Sequence, residues 1–190
     1  AALPESAAFV GAGVIAFEFA HVLARAGARV TLLEVAPRVL PSLDADATDR
    51  LAELTRELGV RIETGVAIDR IERRQDGHAI RYRAGESARS VHAEVVANGA
   101  GRVASLADLD LGAAGITLER GRIELDAFLR SVENPDVFFA GDAIPGRPQL
   151  SPVATYEGRV VGHNLTHDEL RPARYGHHPA AVYTVPALAT

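Results

Sequence analysis

The sequence contains no cysteine and no lysine; all 20 of its basic residues are arginine. Without cysteine there is no disulfide framework, no thiolate metal site and no thiol chemistry by these residues alone. Without lysine, neither a phosphate-loop lysine nor a Schiff-base lysine is available. Methionine is absent too and the chain starts at Ala1, so a piece of a longer protein is expected, with a processed chain as the alternative. A net charge of −5 and a pI near 5.8 leave no electrostatic footprint for nucleic acid. No apolar run approaches the ~20 residues of a membrane span, and no signal peptide is visible. Neither nucleic acid nor membrane is therefore expected as a partner, and a cytoplasmic location is. The chain has 190 residues, 47% hydrophobic and 24% charged, enough for one good-sized domain or one domain plus fragments.

What is present is organised around residues 7–34. Residues 7–10 are a short apolar run. Gly11-Ala12-Gly13-Val14-Ile15-Ala16 is then a G-x-G-x-x-A fingerprint. Its first glycine permits a tight turn, its second lets a pyrophosphate approach the backbone, and its small third position lets a helix pack close to its strand. Ile15, Phe19, Val22 and Ala26 follow at spacings of 4, 3 and 4 and predict one buried helical stripe, with Gly27 at the C′ position. Residues 29–33 form a second apolar strand. Glu34 closes it, 21 residues after Gly13 (34 − 13), where a carboxylate can accept hydrogen bonds from an adenosine ribose. Strand, turn, helix, strand and acid in this order point to a dinucleotide; the alternative is a bare βαβ turn.

Ser42, Asp44 and Asp46 offer N-caps for a second helix. Its apolar positions are Ala47, Leu51, Leu54 and Leu58, and Gly59 ends it. Residues 60–63 make a third parallel strand, completing the mononucleotide-binding half of a doubly wound α/β fold. The pattern then changes to half-polar strands at 66–74, 78–83 and 90–92, with a hairpin turn at Asp76-Gly77 and a solvated face at Arg73-Arg74. A buried strand at 94–98 leads into Gly99-Ala100-Gly101-Arg102. Residues 116–125 predict a hairpin around 119–122, and residues 137–140 a buried strand ending at Gly141-Asp142. Ser151 as N-cap with Pro152 at N1 starts a helix that runs to about Leu165. Residues 171–179 are a polar linker, and 180–190 begin another strand-like segment.

Five stretches carry a resemblance: GAGVIAFEFA at 11–20, the meander at 66–92, GAGR at 99–102, VFFAGD at 137–142 with its helix, and VYTVPALAT at 182–190. Together they resemble the middle and later part of the flavin-dependent pyridine nucleotide–disulfide oxidoreductases, the family of lipoamide dehydrogenase, glutathione reductase and mercuric reductase. The resemblance implies a Rossmann-like βαβαβ unit with a three-stranded antiparallel meander, followed by the C-terminal part of a flavin-binding domain. The implied divisions are an NAD-binding domain at 1–112, a segment of the FAD-binding domain at 113–170, and at 171–190 a linker with the start of an interface domain. A homodimeric parent is implied as well. Gly11 to Ala16 would hold the pyrophosphate of a pyridine nucleotide, Glu18 would orient the nicotinamide, and Val66 and Gly101 match backbone contacts to the same nucleotide. Val14 stands where some members carry an aromatic gate over the flavin, so that gate is lacking. Gly141 and Asp142 would meet the flavin's ribityl–pyrophosphate region, and Gln149, Leu150, Ser151 and Pro152 would lie by its isoalloxazine ring.

Cofactor choice is expected to be NAD(H) over NADP(H), because Glu34 would repel a 2′-phosphate. The positions resembling the arginines of NADP-specific members are Val35 and Pro41, and Arg38 reads as a solvated loop charge. FAD belongs to the intact parent, and little is expected to stay with the chain by itself. No residue of this chain is expected to be catalytic: there is no redox cysteine pair, no upstream flavin fingerprint and no His–Glu pair of an interface domain. Val103-Ala104-Ser105 also replace the family's usual proline and asparagine. The histidine pairs His163/His167 and His177/His178 lack companions at ligand spacing, so no metal site is expected. The resulting function is the positioning of NADH for hydride transfer to flavin. The alternatives are a fragment of an NADH oxidase or ferredoxin-reductase-type flavoenzyme, or a non-catalytic dinucleotide-binding module.

Overall fold

The computed structural model describes residues 2–176 and 180–189. They divide into two compact units, Ala1–Gly101 with Pro179–Thr190, and Arg102–His178. Among the described residues no helix is long and apolar enough to cross a membrane.

The first unit is built on β1 (Ser6–Val10), β2 (Arg29–Leu33), β3 (Arg61–Glu63) and β7 (Val95–Asn98), all parallel, in the order β3-β2-β1-β7. Central β1 is buried on both faces, which is why it reads as an unbroken apolar run rather than an alternating one. Its side chains divide with the two-residue strand period. Ala7 and Phe9 enter a core with α1 (Val14–Arg25) and α2 (Ala45–Glu57), whereas Ala8 enters a second core with Leu33, Val66, Ile80, Tyr82 and Ala93. That second core belongs to the antiparallel meander of β4 (Val66–Arg74), β5 (Gly77–Ala84) and β6 (Ser87–Ala93). The unit is thus three layers deep, with helices, parallel sheet and meander stacked in that order. The two-residue hairpin turn is Gln75-Asp76, one position before the expected Asp76-Gly77. Gly77 pairs with Arg74 as the first residue of β5, where a Cβ would come within 2.5 Å of the Ala93 carbonyl oxygen. Arg73 is exposed and Arg74 ion-pairs with Glu72.

Both helices end as the glycines predict. The amides of Gly27 and Ala28 donate to the carbonyls of Ala24 and Leu23, and those of Gly59 and Val60 donate to Arg56 and Thr55. These are paired Schellman motifs with the glycines at φ +100° and +93°. The expected faces are corrected, however. On α1 the stripe Ile15, Phe19 and Val22 is 54, 56 and 62% exposed, and Ala16, Phe17, Ala20 and His21 are buried instead. Close approach to the sheet favours small side chains, so the face of Ala16 and Ala20 turns inward, with Phe17 and His21 beside it, and the face of Ile15, Phe19 and Val22 turns out. On α2 the core face is Thr48, Leu51, Ala52 and Thr55, while Ala47, Leu54 and Leu58 are half-buried. The buried hydroxyls are satisfied within their own helix: Thr48 donates to Ala45 O at 3.0 Å and Thr55 to Leu51 O at 2.6 Å. Asp44 is the N-cap, accepting from the Asp46 amide.

The strand-like C-terminal segment is a small hairpin, β8 (Ala181–Val182) with β9 (Leu188–Ala189), whose Val182 and Leu188 join the α1/α2 core. Three α1 side chains hold its backbone. Tyr183 N–H donates to Glu18 Oε1 at 2.9 Å, Val185 N–H to His21 Nδ1 at 3.3 Å, and Arg25 Nη2 donates to Val185 O at 2.9 Å.

The second unit is poor in regular structure. Leu106, Ile116, Leu129, Phe139, Ile144 and Val160 form its core beside α3 (Ser151–Thr166). The predicted hairpin at 116–125 is present as a two-residue turn, Arg120-Gly121, closed by paired bonds between Glu119 and Arg122. The predicted strand at 137–140 is reduced to a single bridge, Arg130 to Phe138. The chain around Leu129, at φ +69°, turns away before a ladder can extend. Helix α3 starts one residue earlier than expected. Leu150 is its N-cap, Ser151 is already helical, and no side chain caps it.

His21 is 2% exposed and fully committed. Because the Thr55 hydroxyl donates to Leu51 O, it accepts from His21 Nε2–H at 2.9 Å, leaving Nδ1 as the acceptor for Val185. Burial, and then the charge of Arg25, hold the imidazole pKa below its ordinary 6.5. The unfolded chain therefore binds a proton that the folded chain refuses, and stability falls as pH drops below about 6.5. Between about pH 7.5 and about pH 5.5 the wild type is expected to lose more melting temperature than His21→Gln. Equal losses in the two proteins would place the titration elsewhere.

Candidate functional site

In the first unit, every part of the fingerprint converges on the C-terminal end of β1. Gly11 N–H donates to Leu33 O at 2.7 Å and Gly99 N–H to Val10 O at 2.7 Å, so the turns after β1 and β7 lie side by side. Gly11 sits at φ +100°, and a Cβ there would run into the Gly99 carbonyl; one on Gly99 would meet Ala16 Cβ at 3.3 Å. Gly13 is the N-cap of α1. No side chain caps it, and nothing lies within 4 Å of where its Cβ would be. The free N–H groups of that first helical turn and the positive end of the helix dipole therefore face open space. Glycines 11, 13, 99 and 101, with Val10 and Glu34, line a cleft of about 240 Å³ there.

Glu34 does more than terminate β2. Its Oε2 accepts the Ala12 amide at 2.6 Å and its Oε1 the Ala36 amide at 2.9 Å. The carboxylate thus ties the glycine turn to the strand end. A carboxylate offers about four acceptor positions, so two remain for a ligand's hydroxyls. Val66 is buried at the start of β4, with its amide donating to Glu34 O. Gly101, at φ +103°, lines the cleft. Ala12 and Ala16 are buried beneath it, whereas Val14 and Ile15 are exposed. Glu18 lies a turn further along α1, with Oε1 occupied by Tyr183 N–H. Arg38 is not a solvated charge. It donates to Thr48 Oγ1, Pro41 O and Leu43 O at 3.0, 2.9 and 2.7 Å, clamping the loop that leads into α2.

The second unit brings together another set. Gly141 opens a short 3-10 turn at φ +62°, where a Cβ would lie 2.9 Å from Ala154 Cβ, so only glycine lets the turn rest on α3. Asp142 Oδ2 is 3.3 Å from Arg102 Nη1, and Arg102 Nη2 donates to Gln149 O at 3.2 Å. Arg102, Gly141, Asp142, Gln149, Ser151 and Ala154 line a cleft of about 470 Å³. The N-terminus of α3, formed by Leu150, Ser151 and Pro152, stands beside it without a side-chain cap. Sequence reasoning quoted Arg102 within GAGR but gave it no partner, and it overlooked Glu157, Arg147 and Tyr175. Glu157 is the only acid in α3 and is 0% exposed, and an acid among the apolar positions of a helix was the one available signal.

His163 and His167 stack at 4.1 Å, and each donates a ring N–H to a backbone carbonyl, of Glu169 and of His163 respectively. Among the described residues no group of three or more potential metal ligands occurs. His177 and His178 lie outside the described residues.

Residues 1–158 match the family described as pyridine nucleotide-disulphide oxidoreductase. Among curated relatives, mycothione reductase of Mycobacterium tuberculosis is 32% identical over 194 residues, covering 100% of this chain and 41% of the relative. Mercuric reductase of Bacillus cereus is 28% identical over 189 residues, covering 99% of this chain and 30% of the relative. Among solved structures, LpdA of M. tuberculosis superposes with a TM-score of 0.85 at 30% identity, covering 99% of this chain and 40% of LpdA. The HOCl-induced flavoprotein disulfide reductase RclA of Escherichia coli follows at 0.84 and 27% identity, with 99% and 42% covered. The chain therefore spans less than half the length of these relatives. With its fold, its glycine turns and this match over most of its length, the chain belongs to the pyridine nucleotide-disulphide oxidoreductases.

Proposed function

We propose that this chain is the pyridine-nucleotide-binding portion of an FAD-dependent NAD(P)H:disulfide oxidoreductase, and that it positions NADH for hydride transfer to flavin. The family is FAD-dependent and uses pyridine nucleotides. The observation that carries the proposal is the uncapped N-terminus of α1 beneath the bare face of Gly13, a cradle that a side chain would fill. The donor set fits a dinucleotide: first-turn amides for the diphosphate, and two unused acceptor positions of Glu34 for the adenosine ribose. Gly11, Ala12, Gly13, Val14, Ile15, Ala16, Val66 and Gly101 form the proposed contact set, and the remaining oxygen of Glu18 orients the nicotinamide end. NAD(H) over NADP(H) is part of the proposal. Val35 and Pro41 offer no cation to a 2′-phosphate, and the guanidinium of Arg38 is spent on its own loop.

The second cleft fits the ribityl and diphosphate region of FAD. Gly141 permits close approach, the half-exposed Asp142 would accept hydroxyls, and the start of α3 at Leu150 to Pro152, with Gln149, would turn the positive end of its helix dipole toward the pyrimidine edge of the ring. When bound, the flavin supplies the two-electron redox chemistry; this chain's residues hold, orient and shield. The proposal assigns 1–112 to the nucleotide domain, 113–170 to the FAD-binding domain and 171–190 to a linker and interface segment, within a homodimeric parent.

Calorimetric titration is expected to show NADH binding roughly tenfold or more tighter than NADPH; comparable affinities, or a preference for NADPH, defeat the assignment of cofactor. A pair of variants separates ligand cradle from fold. Gly13→Ala has room for its methyl group and should cost under about 1 kcal/mol of stability, yet weaken NADH by roughly tenfold or more. Gly11→Ala places a Cβ against Gly99 at positive φ and should cost about 1–3 kcal/mol from backbone strain alone, read as a lower denaturation midpoint. Unchanged NADH affinity in Gly13→Ala would sink the cradle.

A further inference from the structure

One fully buried carboxylate of the second unit has no part in the proposed function. Glu157 is 0% exposed. Its Oε2 accepts the Gly141 amide at 2.6 Å, while its Oε1 accepts Arg147 Nη1 at 3.1 Å and the Tyr175 hydroxyl at 2.6 Å. A carboxylate with no solvent contact is strongly destabilising unless charge and donors surround it, so these partners are obligatory rather than incidental. Each comes from a different segment: the turn at 141–143, the loop at 144–149, and the chain after α3. The last is fixed further by Arg147 stacking 4.5 Å over the Tyr175 ring and by Tyr156, whose ring meets Tyr175 edge-on and whose hydroxyl accepts the Arg174 amide at 2.7 Å. Burial and the neighbouring carboxylate push the Tyr175 hydroxyl well above its usual pKa, so it stays a donor.

Two of these segments contribute walls of the 470 Å³ cleft: Gly141 and Asp142 from the turn, and Gln149 and Ser151 from the chain that follows Arg147. Glu157 lies behind both and reaches each by one oxygen. We propose that Glu157 is a positioning residue that sets the spacing of the two cleft walls, and through Gly141 the placement of Asp142, for a flavin dinucleotide it does not itself touch. This rests on the assignment of that cleft to FAD. The short charge-assisted bond to Gly141 is the critical element. It anchors the amide of a glycine that sits in the left-handed region against Ala154, where the local chain contributes the bond from Ile144 N–H to Gly141 O.

Glu157→Gln removes the charge and turns a donor toward donors; Tyr175→Phe removes one donor and leaves the Gly141 bond. Amide hydrogen exchange and titration with added FAD are measured on the whole chain. Glu157→Gln is expected to speed exchange at Gly141 by roughly tenfold or more, the loss of a hydrogen bond to a charged group, and to weaken FAD by a similar factor. Tyr175→Phe should give a smaller change in the same two readouts, and it decides the matter if Glu157→Gln does not fold. Phe139, two residues earlier and bonded to Leu129 O, is the control: a general loss of stability speeds Phe139 and Gly141 together, a positioning role speeds Gly141 first. Equal acceleration at both amides, or FAD affinity unchanged in the variants, overturns the proposal. No FAD binding by the wild type even with the cofactor added in excess, as distinct from the weak retention expected of the chain by itself, overturns the flavin assignment and the proposal with it.

Discussion

Between Gly11 and Gly99 there is no room for a methyl group, and the architecture of the first unit follows from that contact. The turns leaving β1 and β7 press their backbones together, with Gly11 in a conformation closed to other residues and Ala16 filling the space beneath. This contact brings α1 close enough to the sheet for Ala16 and Ala20 to pack directly on it. It also directs the start of α1, with its unpaired amides, out of the strand ends rather than into the core. Any side chain large enough to separate the two turns would push the helix outward and remove the cradle. Structural and binding requirements therefore fall on the same few residues.

Glu34 links the second strand to that arrangement. A carboxylate at the end of β2 could serve a ribose alone, but here it also receives the amides of Ala12 and Ala36. The glycine turn is consequently held in shape by the group proposed to meet the sugar. The second unit solves a similar problem with different means. It has little regular structure to hold Gly141, so a buried carboxylate on α3 gathers the loops around one point. In one unit backbone packing shapes the cleft; in the other, a charge-centred network does.

The outward stripe of α1 shows where periodicity misleads. Ile15, Phe19 and Val22 recur at helical spacing and carry the larger hydrophobic surface, yet they face solvent within this chain. Alanine scores weakly in any hydrophobic pattern, but a close helix–sheet approach selects it. Arg38 shows the converse. A lone arginine in a proline-flanked loop reads as solvated, and only the folded loop reveals three acceptors around its guanidinium. His21 carries no signal of its own in the sequence, and becomes the junction of α1, α2 and the C-terminal hairpin only once Thr55 and Val185 are brought to it.

Local chemistry by itself determined the order of strands and helices, the Schellman ends at Gly27 and Gly59, the meander, and the glycine turn with its terminal acid. Each element depends on residues within a few positions of one another, where φ preference, hydrogen-bonding reach and side-chain period act directly, and the acid 21 residues after Gly13 is placed by the lengths of the helix and strand between them. The tertiary structure alone decided which helix face is buried, where the guanidinium of Arg38 is spent, and that Glu157 gathers Gly141, Arg147 and Tyr175 from 16, 10 and 18 residues away. Those outcomes are set by steric fit and by the need to satisfy buried charge, and both depend on groups that chain connectivity does not place together.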